Sequence, residues 1–507
     1  MEIATAASRP AIPPGSAAYV RPKLSGSSLR AFFILIFLLG SIVNTAVYWS
    51  AAPVVVFAIT LAATLGLVRL LGRDVAEERA AVLIMFVVGW FWAGVSASYL
   101  AIVGYENPDS GRFHEEVLDP DFQPIGESEA LAWQGEGISV GRLANEWFSV
   151  NVVQNAGAIV VWRLAYGFFS LLSLGDGQYI GVTMNTAFVA LSVAMGLRMV
   201  KTIFGADPVR IRRYVLLCAT CGIFWLFASL HVRDSMALFC VTLLAMFWVY
   251  YLQRPNTKTL IALAFATVIG FMLFGLVRVE FLFVPFAMIL AGSAAMIVGT
   301  RGPGRRRVWL YAGLSAGFLI GLAFVLFNFR SALDSIMLLL EVREKVYAAV
   351  SIGEGAGSLG NQLIVSQTGI VKLIFGTAYL LLAPIPVWTG FTSELAYHLY
   401  KTFNTVFMYF VLPLAAVTLW RMAQNRALQR PPLLFIAFSF IGFAAAVGYT
   451  SIEGRHIGAF FVLLILLALV PDLGRQADRR MYRLGFAVLM AFIVPMHMTW
   501  LVYKALV

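Results

Sequence analysis

The sequence predicts an all-α fold, a polytopic integral membrane helical bundle with about 13 transmembrane helices and two further re-entrant or interfacial segments. Composition is the first reason. Of the 507 residues, 60% are hydrophobic and only 12% are charged, which is about half the charged fraction of a soluble domain. The second reason is that apolar stretches long enough to cross about 30 Å of hydrocarbon as helices recur along the chain. A soluble globule and a largely disordered chain are both excluded by these features.

The first thirty residues are predicted to be a flexible cytoplasmic lead, followed by a single transmembrane domain at 31–507. The segment 1–30 is rich in Pro, Ser and Ala and carries four basic residues, but it lacks the apolar core and cleavage site of a secretory signal. Thirteen later stretches are predicted to span the bilayer, namely 31–49, 52–70, 80–103, 179–199, 214–230, 235–252, 259–277, 281–299, 308–328, 402–420, 433–450, 456–472 and 483–504.

Two further apolar segments are predicted to be re-entrant or interfacial, because each of them is interrupted. Arg163 lies inside the segment 156–173, after an approach rich in Asn and Gln. Pro384 and Pro386 lie inside the segment 370–391, and a proline removes a backbone donor from a helix interior.

This topology places the N-terminus in the cytoplasm of a bacterium and the two long loops, 104–178 and 329–401, in the periplasm. The formal net charge is +11, and 25 of the 37 lysines and arginines, but only 7 of the 26 acidic residues, fall on the predicted inner side. Such an asymmetry is typical of proteins that obey the positive-inside rule. If both interrupted segments crossed, the basic clusters at 198–213 and 301–307 would face outward, against that rule.

The cysteines predict neither a disulfide framework nor a metal site. Cys218, Cys221 and Cys240 all lie inside apolar runs, where a thiol packs as a small hydrophobic group. The spacing of Cys218 and Cys221 suits a metal, but no second pair follows.

Charged residues at the predicted outer ends of the spans are the candidates for a functional site. The first outer loop begins with Glu106, Asp109 and His114, and ten acidic residues fall within 104–150. Three short turns between spans, far apart in the sequence, each place an arginine at one predicted membrane depth. These turns contribute Arg233 with Asp234, Arg278 with Glu280, and Arg455 with His456.

The chemistry of these residue types favours a lipid phosphate as the ligand. Arginine is always protonated, and its planar fork of donors suits phosphate oxygens. A nearby carboxylate could take a proton from an attacking hydroxyl while arginines stabilise the departing phosphate. We therefore predict Asp109 as the base, Glu106 as the alternative base, and His456 as a group that orients the substrate or exchanges a proton. The alternative for each charged turn is a local ion pair or an interfacial anchor.

Several short motifs resemble those of two groups of bacterial membrane proteins, the GT-C-type glycosyltransferases and the O-antigen-polymerase-like polysaccharide proteins. The motifs are Pro108-Asp109-Ser110 followed by His114, Arg233-Asp234-Ser235, Ser358-Leu359-Gly360, Pro384-Ile385-Pro386-Val387-Trp388 and Gly454-Arg455-His456. They are distributed over most of the chain, from Pro108 to His456.

The resemblance implies specific roles. In the GT-C group the carboxylate of the first loop is the expected catalytic base, which falls here to Asp109 or Glu106. In the polymerase group, outer arginines are expected to hold the lipid diphosphate, a role that falls to Arg233, Arg278 and Arg455. A doubled acidic motif of the Asp-x-Asp kind is missing, so no cofactor is predicted and a divalent metal stays open.

The sequence therefore predicts an enzyme that joins sugars supplied on a polyprenyl phosphate or diphosphate, at the periplasmic face of a bacterial inner membrane, during cell-surface or exopolysaccharide assembly. The expected partners are the lipid-linked sugar, the membrane lipids and a polysaccharide export machinery, and no nucleic acid. Two alternatives stay open. One is a transporter or flippase of lipid-linked sugars, which should show broken helices and two related halves. The other is a non-catalytic subunit of a polysaccharide assembly complex.

Overall fold

A computed structural model gives the fold of this chain. The residues that it describes are 26–72, 75–103, 108–119, 156–277, 281, 283–299, 367, 369–384, 386–391, 393–450 and 453–506. The predicted span 308–328 and the Ser358-Leu359-Gly360 motif lie outside these ranges.

All the regular structure in the described ranges is helical, as the composition predicts. The α-helices are α1 (Gly26–Tyr48), α2 (Ala52–Leu67), α3 (Ala76–Val103), α4 (Pro108–Leu118), α5 (Ala156–Leu171), α6 (Tyr179–Phe204), α7 (Pro208–Ala219), α8 (Gly222–Ser229), α9 (Asp234–Gln253), α10 (Thr257–Val277), α11 (Phe283–Gly299), α12 (Gly369–Leu382), α13 (Ala396–Gln424), α14 (Pro431–Thr450), α15 (Gly454–Gly458), α16 (Phe461–Ala468) and α17 (Gln476–Leu506). Short 3-10 helices occur at Val68–Leu71, Val387–Phe391 and Arg426–Leu428.

The helices have the length and apolarity of a multi-pass membrane protein. Within the described ranges, 9 helices are long and apolar enough to span a membrane, or 10 if the bent pair α7 and α8 forms one span. The prediction of about 13 crossings is not confirmed. Three predicted spans differ: α11 has only 17 residues, and the stretches 214–230 and 456–472 are each divided between two shorter helices. The interrupted segments 156–173 and 370–391 hold α5 and α12, which are also short.

The break between α7 and α8 has a clear physical cause. The two helices meet at an angle of 58°. Asn404, on the neighbouring helix α13, accepts a hydrogen bond from the backbone N–H of Ile223 through Oδ1 at 3.3 Å. An apolar run therefore does not continue as one straight helix, because a side chain from another helix satisfies a backbone donor in the first turn of α8.

The bundle has two polar ends. The helix α3 has 28 residues and is about 42 Å long at 1.5 Å per residue, so its two ends lie far apart. At its N-terminal end the buried carboxylate of Glu78 pairs with Nε of Arg198 at 2.8 Å and with Nζ of Lys201 at 2.9 Å, both on α6. We call this the basic end. At the C-terminal end of α3 the chain leads to α4, which carries Asp109.

Candidate functional site

An ion pair joins α4 to the last turn between long helices. Nη1 of Arg455, on α15, lies 2.5 Å from Oδ2 of Asp109 in the first turn of α4. The two side chains are 18% and 28% exposed, so the pair is largely but not completely buried. Arg112, one turn further along α4, approaches the other oxygen, Oδ1 of Asp109, at 3.6 Å. A carboxylate and a guanidinium that are 346 residues apart in sequence therefore meet directly.

The turn that carries Arg455 is fixed by close packing. A Cβ atom added to Gly458 would lie 2.6 Å from Cγ1 of Ile223 and 2.8 Å from Cζ of Phe227, so only glycine lets α15 pack this closely against α8. Glu453, just before α15, pairs with Nζ of Lys401 at 3.2 Å and accepts a hydrogen bond from the hydroxyl of Tyr397. These contacts bind the turn to the N-terminal part of α13.

Two cations lie over one aromatic ring in this region. Nζ of Lys401 lies 5.0 Å from the ring centroid of Tyr397, and Cζ of Arg455 lies 5.8 Å from it. Both distances are within the range of cation–π attraction. Tyr397 thus contacts both the ammonium group of Lys401 and the guanidinium of Arg455.

The turn before α9, which carries Arg233, is held by a buried asparagine. Nδ2 of Asn185, in the second turn of the apolar helix α6, donates to the backbone carbonyls of Leu230 and Val232, both at 2.8 Å. Its Oδ1 accepts from the hydroxyl of Ser235 at 2.8 Å. The side-chain amide thus provides a hydrogen-bond donor for two carbonyls that have no helical partner in the turn between α8 and α9.

Ser110 connects the Asp109 helix to the same turn. Its buried hydroxyl accepts hydrogen bonds from the backbone N–H of His231 at 3.0 Å and from Nε2 of Gln178 at 2.6 Å. Ser110 follows Asp109 in sequence, and His231 precedes Arg233 by two residues. The positions of the base candidate and of the Arg233 turn are therefore coupled through one side chain.

A packed aromatic and histidine cluster lies on the other side of α4. Nδ1 of His114 lies 2.9 Å from the hydroxyl of Tyr166, and the ring of His231 lies 4.1 Å from that of Trp162 between centroids. A Cβ atom on Gly181 would come within 2.3 Å of Nε2 of His231, which shows how tightly this ring is packed. Burial lowers the pKa of both histidines, so they are neutral at pH 7.

The charges of the site act on one another. Burial by itself would raise the pKa of the Asp109 carboxyl, but the guanidinium of Arg455 outweighs this effect, and that pKa is lowered from its usual value. Arg233 contributes to the same lowering, so the tip of α9 also lies within electrostatic reach of Asp109. Asp109 is therefore ionised at neutral pH.

The opposite partner shows the same coupling. Burial alone would lower the pKa of Arg455, but Tyr397 and the carboxylates around the guanidinium raise it well above its usual range. Asp234, in the first turn of α9, is one of these carboxylates. The tips of α9 and α15 are thus electrostatically connected.

The structure brings some of the predicted site residues together and separates others. Asp109, Arg455, Arg233 and Asp234 converge, whereas His114 turns from Asp109 toward Tyr166 on α5. His456 is buried next to Arg455 in sequence, and its role in proton exchange stays a prediction. Glu106, Arg278 and Glu280 lie outside the described residues.

Sequence reasoning did not select Lys401, Tyr397, Arg112 or Glu453 as site residues. A signal for the first two was present, because a lysine four residues after a tyrosine shares its helix face. The predicted loop 329–401 ends at Lys401, so the sequence does not identify Tyr397 and Lys401 as residues of one helix. No sequence signal connects this pair to Glu453, which is 52 residues further on.

The described residues contain no group of three or more His, Cys, Asp or Glu side chains that could hold a metal ion. Cys218 and Cys221 are buried free thiols. Comparison with known proteins identified no matching protein-family profile and no matching curated protein.

Replacing Asn185 with Ala should destabilise the fold by about 3 kcal/mol, because two buried carbonyls would lose their donor at about 1–3 kcal/mol each. The measurement is thermal unfolding of the protein in detergent. Asn256→Ala, in an exposed turn where the amide donates to the carbonyl of Arg254, is the matched control. Equal melting temperatures for the two variants would contradict the assigned role of Asn185.

The ion pair of Asp109 should make stability depend on pH in the acid range. Because the folded pKa of Asp109 lies below its usual value of 3.8, the pair contributes stability above about pH 4 and loses it as pH falls through the folded pKa. Melting temperatures of the wild type and of Asp109→Asn, measured from pH 6 to pH 3, should therefore converge toward acid pH. Glu115→Gln, on the exposed side of the same helix, should retain the wild-type dependence of melting temperature on pH. If both variants lost this dependence, the cause would be a general effect of charge and not the ion pair.

Proposed function

We propose that this protein is a membrane glycosyltransferase or polysaccharide polymerase that uses sugars linked to a polyprenyl phosphate or diphosphate. One observation carries the proposal: the first-loop carboxylate of Asp109 contacts Arg455, and Arg233 from a third element lies within electrostatic reach of it. A base beside fixed guanidinium groups at the end of a helical bundle is the arrangement that transfer from a lipid phosphate requires.

The distribution of basic residues supports an extracytoplasmic position for the site, in a bacterial inner membrane with a cytoplasmic N-terminus. Many arginines and lysines are found toward the basic end of the bundle, as expected of a cytoplasmic face. They include Arg198, Lys201, Arg210, Arg212, Arg213, Arg254, Lys258, Arg421, Arg426, Arg430, Arg475, Arg479 and Arg480. The Asp109 site lies at the opposite end of α3.

In the proposed reaction, an acceptor hydroxyl attacks the anomeric carbon of the lipid-linked sugar. The new bond forms between the acceptor oxygen and that carbon, and the bond from the carbon to the phosphate oxygen breaks. The lipid phosphate leaves with the electron pair and is stabilised by Arg455 and Arg233. The acceptor proton passes to a carboxylate oxygen of Asp109, which acts as the general base.

A second candidate function, transport of a lipid-linked sugar, is favoured by the bend between α7 and α8. Interrupted helices often form the substrate sites of transporters. This break, however, is closed by Asn404 from α13, and the residues around it, 215–229, carry no charge. The charged groups cluster instead at the helix ends, where a transferase acts on a lipid headgroup.

The two functions differ in their dependence on Asp109. In proteoliposomes supplied with a polyprenyl-linked sugar and an acceptor glycan, Asp109→Asn should lower the transfer rate by about 10² to 10⁴ fold, the usual contribution of a general base. Arg455→Ala should lower it as well, whereas Glu115→Gln should leave it unchanged.

Product is measured as glycan released from the lipid, and lipid movement across the bilayer is measured in parallel. Lipid movement without any glycan product in the wild type would favour the transporter. Transfer at the wild-type rate in a correctly folded Asp109→Asn variant would exclude Asp109 as the base.

A further inference from the structure

The proposed roles of Asp109 and Arg455 compete with each other in the structure. A base must be available to take a proton, and a phosphate-binding guanidinium must be available to a phosphate. Here the two groups contact each other at 2.5 Å. One of them has to change partner before either can act as proposed.

The contact with Asp109 uses only one of the hydrogen-bond donor groups of the Arg455 guanidinium. The short distance involves Nη1 alone, whereas an arginine can donate two parallel hydrogen bonds to one oxyanion. Nε of Arg455 is buried and has no hydrogen-bond acceptor among the described residues. A buried donor without an acceptor carries an energetic cost, so a phosphate with three or four oxygens would satisfy this side chain better than one carboxylate does.

Asp109 has a second partner at hand. Arg112, on the same helix, lies 3.6 Å from Oδ1 of Asp109 and 3.5 Å from Oε1 of Glu116. If Arg455 bound another anion, the carboxylate of Asp109 would still have Arg112 beside it and would stay ionised. The α4 side of the pair can therefore change partner without leaving an isolated charge.

The Arg455 side is held in place. Glu453 is bound by Lys401 and Tyr397, and Gly458 packs against Phe227 of α8. These contacts hold the backbone that carries Arg455, and its guanidinium also lies near the Tyr397 ring. Asp109, which has Arg112 as a second cation, is the member of the pair that can be exchanged.

We propose that Asp109 is the resident anion of a phosphate site at Arg455, and that a phosphate or diphosphate ligand displaces it. On the proposed function, which this inference refines, the displacement couples substrate binding to release of the base. Without the lipid phosphate, Asp109 stays engaged with Arg455 and cannot accept a proton from water or from an acceptor.

The test measures anion affinity instead of activity. Binding of inorganic diphosphate and of farnesyl diphosphate to the purified full chain in detergent is measured by calorimetry at pH 7 and constant ionic strength. Asp109→Asn removes the competing charge and should tighten binding about tenfold, a factor that corresponds to about 1.4 kcal/mol. Asp109→Ala should tighten it in the same direction, so that the result does not depend on the amide or on one variant folding.

Glu115→Gln is the matched control, because it removes one negative charge from the exposed side of the same helix. Its affinity should change by less than about twofold, as expected for a screened surface charge. In the double variant, Arg455→Ala should abolish the tighter diphosphate binding that Asp109→Asn produces alone. The proposal is overturned if the Asp109 variants bind no more tightly than the wild type, or if Glu115→Gln tightens binding equally.

The two probes separate the sources of the phosphate. Equal gains for inorganic and farnesyl diphosphate identify the anion alone as the displacing group, and a gain confined to farnesyl diphosphate identifies a lipid headgroup that needs its chain. Either gain supports displacement. If the Asp109 variants bind diphosphate more tightly but the wild type shows no transfer activity, the displacement stands and the proposed enzyme does not. If Asp109→Asn loses transfer activity but binds diphosphate no more tightly than the wild type, the proposed enzyme stands and the displacement does not.

Discussion

Backbone groups at helix breaks must find partners inside the protein, because an apolar bundle in lipid offers no water to them. Three breaks show how this chain meets the constraint. Asn185 donates to two carbonyls in the turn before α9, Asn404 accepts from the first turn of α8, and Arg213 donates to the carbonyls of Ala468 and Pro471 after α16 at 2.8 Å. Each break is stabilised by a polar side chain from another element, and the break closed by Asn185 determines the position of Arg233.

The charges of the candidate site are a consequence of these anchors. Asn185 and Ser110 fix the turn that leads to Arg233, and the contacts of Glu453 fix the turn that leads to Arg455. Around the site, the cations Arg112, Arg233, Lys401 and Arg455 are matched by the carboxylates Asp109, Glu116, Asp234 and Glu453. Among the described residues, the charges of the site are therefore balanced. This balance is the reason that the proposed phosphate ligand would displace a carboxylate of the protein from Arg455.

The histidines have a different character from the charged residues. His114 and His231 are packed among Trp162 and Tyr166, and burial keeps both of them neutral. His497 accepts a hydrogen bond from the backbone of Val387 at 2.9 Å, and His398 is bonded to Ser393 at 2.6 Å. These contacts give packing and helix attachment as the roles of these four histidines, and Asp109 stays the proposed base.

The sequence by itself determined the class of the fold and predicted that several charged residues stand at the ends of apolar stretches. Hydrophobic length sets how far a residue lies from the end of a span, so Asp109, Arg233 and Arg455 could be predicted at one face. It did not determine the breaks in 214–230 and 456–472, because an apolar run carries no local signal for a partner such as Asn404, which meets the first break from the neighbouring helix α13. Nor could it show that Asp109 meets Arg455, or that Lys401 belongs beside them. Lateral position depends on which helices pack together, and that is decided by contacts between residues hundreds of positions apart.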